Sequence, residues 1–353
     1  MINNKDCRYC SVVSKANGED PIGTAGRVDE WLLVEVPRPW NKSIWQEKPE
    51  FQPLIQVVER LASNPIRYYK TRLLAIIPDK EYSHSEFIRV FYYCRPSQIF
   101  AKYIKHEYIL PLSQVAELAE ALLFQKQKLV NFHSYQQLSD RIREILVCTH
   151  TQYDIACGRF GYPLYKRLRE NYTTDNLRVW QTNHFGGHQF APTLIDFPAG
   201  QVWGHLEMDV LDCLIYQKGD VSPLRRFYRG CTALGKFEQI AEREIWMQFG
   251  WEWLNYSKSG CVLKRDEGGL VKYLLKIIFR LIPSGKLKLL LEQWNDSATW
   301  AKVQIKYKNP HNHQGCYETT VKLKGTVVSK RNSGEDAPLT QVNQYGVDRL
   351  IKS

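Results

Sequence analysis

Residues 148–188 read CTHTQYDIACGRFGYPLYKRLRENYTTDNLRVWQTNHFGGH, and this stretch allows few folds. The apolar run REILV enters Cys148 and LRVWQ leads toward His184, so each pair of soft donors comes after a predicted strand. Between them, residues 161–171 carry Leu164, Tyr165 and Leu168, with Tyr172 just beyond, at helical spacing. Strand, helix and strand in that order make a βαβ unit. Its strands lie parallel and its carboxyl-end loops come together, which is where open α/β sheets bind their ligands. The expectation is therefore Cys148 and Cys157 on one loop, with His184 and His188 on the loop beside it.

Thiolates and imidazoles are the side chains that hold zinc and iron–sulfur centres. Eight residues separate Cys148 from Cys157, whereas three separate His184 from His188. Structural zinc sites usually pair cysteines two to four residues apart. The longer gap suits a larger object that a loop must wrap around, such as a two-iron cluster. Gly186 and Gly187 let backbone approach such an object closely. A single cysteine is most often a small buried hydrophobe, and a single histidine an ordinary core or loop residue. Four such residues, paired on adjacent loops, are harder to explain that way.

The segments CTHTQYDIACGRFGYPLY and HFGGHQFAPTLIDFPAGQVWGHL resemble the sucrase/ferredoxin-like family. So do CSVVSKANGEDPIGTAGRVDEWLLVEVPRPW near the start and YRGCTAL further on; together they cover residues 7–234. The resemblance implies a thioredoxin-like [2Fe–2S] ferredoxin, with Cys148, Cys157, His184 and His188 as cluster ligands. Thioredoxin-like ferredoxins typically use four cysteines, the last two spaced Cys-x3-Cys. Here His184 and His188 occupy that spacing, as in fungal members, and the change bears on redox potential. The implied function is electron transfer. The alternatives are a cluster-dependent oxidoreductase acting on a small molecule, or a zinc-stabilised interaction module. A sucrase would need two carboxylates flanking the scissile bond. The close pair Glu207 and Asp209 instead stands at a strand end and a helix start, where it is expected to cap. Neither GxGxxG nor GxxxxGK[ST] occurs, so no nucleotide site is expected.

Elsewhere the order β-α-β-β-β-α occurs twice. In the first copy EWLLVEVP is succeeded by a helix at 51–62, the strands YYKTRLLAIIP, FIRVFYYC and AKYIKHEYIL, and a helix at 113–125. In the second, REILVC, a helix, LRVWQT, PTLIDFP, QVWGHL and a helix at 209–217 repeat it. The chain is thus read as α/β, with two tandem thioredoxin-like units. Residues 1–125 form a degenerate N-terminal unit that lacks the ligand set, since RPWNKSIW after its first strand has no cysteine or histidine, 126–140 a linker, 141–234 the ferredoxin unit, and 235–353 a small α+β appendage. Cys7 and Cys10 precede the first strand, unlike a thioredoxin dithiol, and read as packing thiols. His311, His313 and Cys316 fall in a turn between strands. Trp180, Phe185 and Trp203 are candidates for an apolar shell around the centre.

A net charge of +11 admits an acidic partner, here an acidic redox protein such as a ferredoxin or its reductase. Basic residues are dispersed and no nucleic-acid motif is found. The start MINNKDCRYC lacks an apolar run, and YLLKIIFRLI is short and broken by Lys276 and Arg280. No membrane span is expected, and the compartment is read as cytoplasmic. Nine scattered cysteines there read as ligands and buried thiols rather than disulfides.

Overall fold

The computed structural model describes residues 9–97, 99–282, 284–334 and 336–352; Cys7 lies outside them. The first half contains α1 (Cys10–Ala16), β1 (Glu30–Glu35), α2 (Gln52–Glu59), α3 (Pro65–Tyr69), β2 (Thr71–Ile76), β3 (Ile88–Cys94), β4 (Ile104–Leu110) and α4 (Val115–Leu123). Next come a 3-10 stretch, Lys126–Tyr135, and β5 (Gln136–Gln137); Phe132 is buried against the first half and β5 pairs with β4. The second half contains β6 (Arg143–Cys148), α5 (Ile155–Asn171), β7 (Leu177–Thr182), β8 (Leu194–Phe197), β9 (Gln201–Trp203), α6 (Leu211–Tyr216) and β10 (Tyr228–Cys231). The C-terminal region contains α7 (Lys236–Phe249), β11 (Ser257–Arg265), α8 (Leu270–Leu281), α9 (Gly285–Asp296), β12 (Trp300–Lys308), β13 (Gln314–Lys330), β14 (Leu339–Val347) and β15 (Ile351–Lys352).

Ten strands form one sheet, in the order β10-β9-β8-β6-β7-β2-β1-β3-β4-β5. The halves share a strand order, β2-β1-β3-β4 against β7-β6-β8-β9. In each, the first two strands are parallel and the third is antiparallel to the first. They join where β2 meets β7 antiparallel, through the single pair Ile76 and Thr182. Those residues end their strands, so the carboxyl-end loops of both halves converge near the middle of the molecule.

Strands covered on both faces read as continuous apolar runs, and the alternation shows what covers each face. Leu32 and Val34 of β1 pack under α2 and α4 with Leu54, Leu118 and Leu122. Trp31 and Leu33 face the other way, into a core shared with Leu146, Trp180, Ile195 and Phe197 of the second half. There the Tyr93 ring stacks on Phe197 at 4.2 Å and Trp31 meets it edge-on at 5.4 Å. The two halves are therefore packed face to face.

Buried charges cross the same junction. Lys105 of β4 donates to Glu144 of β6 at 2.7 Å, and Arg178 of β7 to Glu107 of β4 at 2.6 Å. Arg89 also pairs with Glu107, and Trp180 Nε1 donates to Glu144 at 2.7 Å. Burial, with Arg178 nearby, pushes the Arg89 guanidinium down to about 10.

The C-terminal strands form a second, antiparallel sheet, β11-β12-β13-β14, with β15 on β13. Ile240, Ile245 and Trp246 of α7 belong to one core with Ile145, Val147, Leu164 and Leu168 of the second half and Val303, Ile305 and Val321 of this sheet. The region beyond residue 235 thus shares its core with the second half. Among the described residues no helix is long and apolar enough to cross a membrane.

Candidate metal centre

The centre is built at the carboxyl ends of β6 and β7. Cys148 is the last residue of β6. α5 starts at Ile155 rather than at residue 161, because the Asp154 side chain caps it by accepting from the Ala156 N–H at 2.8 Å. Cys157 therefore lies in the first turn of a helix and not on a loop. Residues 155–160, Gly158 among them, were expected in the loop, yet they form the first turns of the helix. Gly161 is needed for contact: a Cβ there would come 2.0 Å from the Cys148 carbonyl oxygen.

The structure brings three of the four expected donors together. Cys148 Sγ lies 3.9 Å and Cys157 Sγ 3.6 Å from His184 Nδ1, and both cysteines are buried. His188 opens the 3-10 turn His188–Phe190, with its ring 5.2 Å from that of His184. Its Nδ1 faces a second group, Asp154 Oδ2 at 3.3 Å and Cys10 Sγ at 3.5 Å. Cys10, read from the sequence as a packing thiol, is thus both buried and at the centre.

Burial alone would raise Cys148, but hydrogen bonds from Cys157 and His184 outweigh it and hold this thiol well below its ordinary value. Its hydrogen bond to Cys148, reinforced by burial, pushes Cys157 well above. Burial lowers His188 and Asp154 opposes it, which favours a neutral ring.

The HFGGH loop is held from two sides. Gly187 has φ of +79°, and a Cβ there would lie 2.3 Å from the buried Arg229 guanidinium. Arg229 Nη1 donates to the Gly186 carbonyl at 2.9 Å, while Nε and Nη2 donate to Thr24 in the GEDPIGTAG segment. Burial pushes this guanidinium down to about 10, with Cys148, Glu19 and Cys157 opposing. From the other side, Asn183 Oδ1 accepts from the Ala75 N–H of β2 at 2.9 Å.

The Tyr153 ring stacks on His184 at 3.8 Å and is 42% exposed. It borders a cleft of about 580 Å³ between the halves, lined also by Lys42, Trp45, Arg72, His184 and Phe185. Of the three aromatics expected to shield the centre, Phe185 is at this cleft. Trp180 instead packs against Tyr82 and Phe91, and Trp203 against Tyr228 and Trp246. Glu207 makes no capping bond; its carboxylate pairs with Lys15 at 2.5 Å and Arg226 at 2.6 Å. His311 and His313 are exposed, with their backbone N–H groups donating to Asn309 Oδ1.

Sequence reasoning passed over Tyr153, Asp154, Arg229 and Ser333. The first two lie inside the cysteine gap and Arg229 lies in YRGC, so position marked them. Nothing local marks Ser333.

Two thiols and two imidazoles fit a two-iron centre in number and type, since cysteine and histidine ligands share such clusters in Rieske proteins. The 3.6 and 3.9 Å separations also suit ligands of one tetrahedral ion, because bonds of about 2.3 Å to sulfur and 2.0 Å to nitrogen set ligand atoms about 3.5 Å apart.

The chain is 30% identical over 110 residues to altered inheritance of mitochondria protein 32 of Clavispora lusitaniae, a match covering 29% of this chain and 40% of that protein. The chain thus spans less than half the length of that relative. Among solved structures it matches a thioredoxin-like [2Fe–2S] ferredoxin from Aquifex aeolicus at 16% identity and a TM-score of 0.21, over 25% of this chain and 90% of that one. The sucrase/ferredoxin-like family model matches residues 21–230, more than half of the sequence and all four expected donors, and the chain belongs to that family.

Proposed function

We propose that this protein carries electrons on a [2Fe–2S] cluster held by Cys148, Cys157, His184 and His188. The observation that carries this reading is the meeting of buried thiols and imidazoles at the carboxyl ends of β6 and β7. Such a cluster supplies one-electron transfer when bound. The protein's own part is to present the donors and limit water. Arg229 and Asn183 fix the histidine loop, and Tyr153 and Phe185 cover its outer edge.

The cleft beside His184 bears Lys42 and Arg72 against one carboxylate, Glu59, which suits an acidic redox protein such as a ferredoxin or its reductase. The shared strand order supports reading the halves as tandem thioredoxin-like units, the first degenerate, divided at 126–140 with a further boundary near 235. The eight described cysteines are free, which fits the cytoplasm or another reducing compartment.

A second reading is favoured by the ligand-atom separations: a single zinc ion on Cys148, Cys157 and His184 in an interaction module. One measurement decides. Protein purified without oxygen should absorb in the visible and contain iron and acid-labile sulfide in equal amounts. A colourless protein with zinc and no sulfide would overturn the electron-transfer reading.

A further inference from the structure

We propose that Asp154 is the positioning residue for His188, and that Ser333, in the connection between β13 and β14, holds Asp154 in place. The proposal rests on the cluster reading above and adds to it a link from outside the family match.

The Asp154 carboxylate is surrounded by donors. Oδ1 accepts from the Ala156 N–H at 2.8 Å and from Ser333 Oγ at 2.6 Å, and Oδ2 accepts from the Ser333 N–H at 2.9 Å. Capping α5 requires only the first of these. The others come from the β13–β14 connection, 179 residues further along the chain. Cys10 of α1 closes the group, with its N–H donating to Ser333 Oγ at 3.2 Å. Asp154 is 8% exposed and Cys10 fully buried, so three distant segments meet here out of water.

The remaining approaches to this carboxylate are taken by Cys10 Sγ, 3.9 Å from Oδ1, and by His188 Nδ1, 3.3 Å from Oδ2. The proton on that nitrogen points at the carboxylate, so the ring's lone pair lies on Nε2, at the opposite edge. His188 would then hold iron through Nε2, whereas His184 has Nδ1 turned toward the two sulfurs. A carboxylate behind a ligating histidine fixes its tautomer and raises its basicity; losing such a partner typically costs about 10–100-fold in metal affinity.

Asp154→Asn keeps the cap, because asparagine caps as well as aspartate, and removes the charge behind His188. Ser333→Ala leaves the cap untouched. Measured against the cluster-loaded wild type, Asp154→Asn should release iron to a chelator about 10–100-fold faster and raise the midpoint potential. Ser333→Ala should move both in the same direction by less. Melting temperatures should change little, whereas a purely structural role would lower them and leave the potential alone. If the wild type holds its cluster and both variants keep its loss rate and potential, the proposal is wrong while the cluster reading stands. A response confined to Cys10→Ala would overturn it in favour of the thiol as the Nδ1 partner. Wild-type protein without iron or sulfide would remove the cluster reading and this proposal with it.

Discussion

The two halves of the ten-stranded sheet share a strand order and differ in the side chains placed just beyond their parallel strands. After β6 and β7 come two thiols and two imidazoles. After β1 and β2 come Trp40, Asn41 and Asp79, none of them a soft ligand. These residues brace the other half instead. The Asn41 carbonyl accepts from His150 Nε2 at 2.9 Å, and the Trp40 ring meets His150 edge-on. Asp79 takes both ends of the Arg169 guanidinium of α5, at 2.9 and 3.0 Å. A fold that offers converging loops twice needs donors in only one set, and here the other set stiffens the first.

This division of labour can be broken outright. Cys148→Ser or Cys157→Ser should remove the metal completely and leave a folded protein, read by iron content and circular dichroism. Trp40→Ala should do the reverse, keeping the metal while costing about 3–5 kcal/mol in denaturant unfolding. Metal loss in Trp40→Ala at unchanged stability would show that the first half also builds the centre. The junction offers the next test. Glu144→Leu leaves Lys105, Arg178 and the Trp180 N–H facing an apolar side chain, and should cost about 3–5 kcal/mol; a variant as stable as the wild type would mean that the halves do not depend on these charges. Asn183→Ala strips the Ala75 N–H of its partner and should cost about 1–3 kcal/mol, with faster metal release, since His184 is the next residue. The smallest effect concerns the cleft. Electron exchange with an acidic ferredoxin should slow as salt rises, and Lys42→Glu should flatten that dependence severalfold. Exchange that ignores both salt and Lys42 would place docking elsewhere.

The donor pairs were legible because each comes after an apolar run that ends at a strand terminus, and similar apolar runs marked most strands of the large sheet. The start of α5 was not, because Gly158 just before residue 161 is a poor helix former, which the Asp154 cap and packing on β6 override. The face-to-face packing of the halves leaves no trace in periodicity: Trp31 and Leu33 alternate in the same way whatever covers them. Ser333 was invisible for a related reason. Its contacts span 179 and 323 residues, and a short polar turn carries no local sign of what it will meet.

The repeated strand order suggests interchangeable modules, but the junction between them argues otherwise. Lys105 belongs to one half and Glu144 to the other; the same is true of Glu107 and Arg178. The halves are complementary rather than equivalent, like the two subunits of an obligate heterodimer joined in one chain. A fragment cut to residues 141–234 would carry Leu146, Trp180, Ile195 and Phe197 into water on its inner face, with Arg178 deprived of Glu107. The half whose parallel strands end without thiols or imidazoles is thus the half that keeps the inner face of the other one dry.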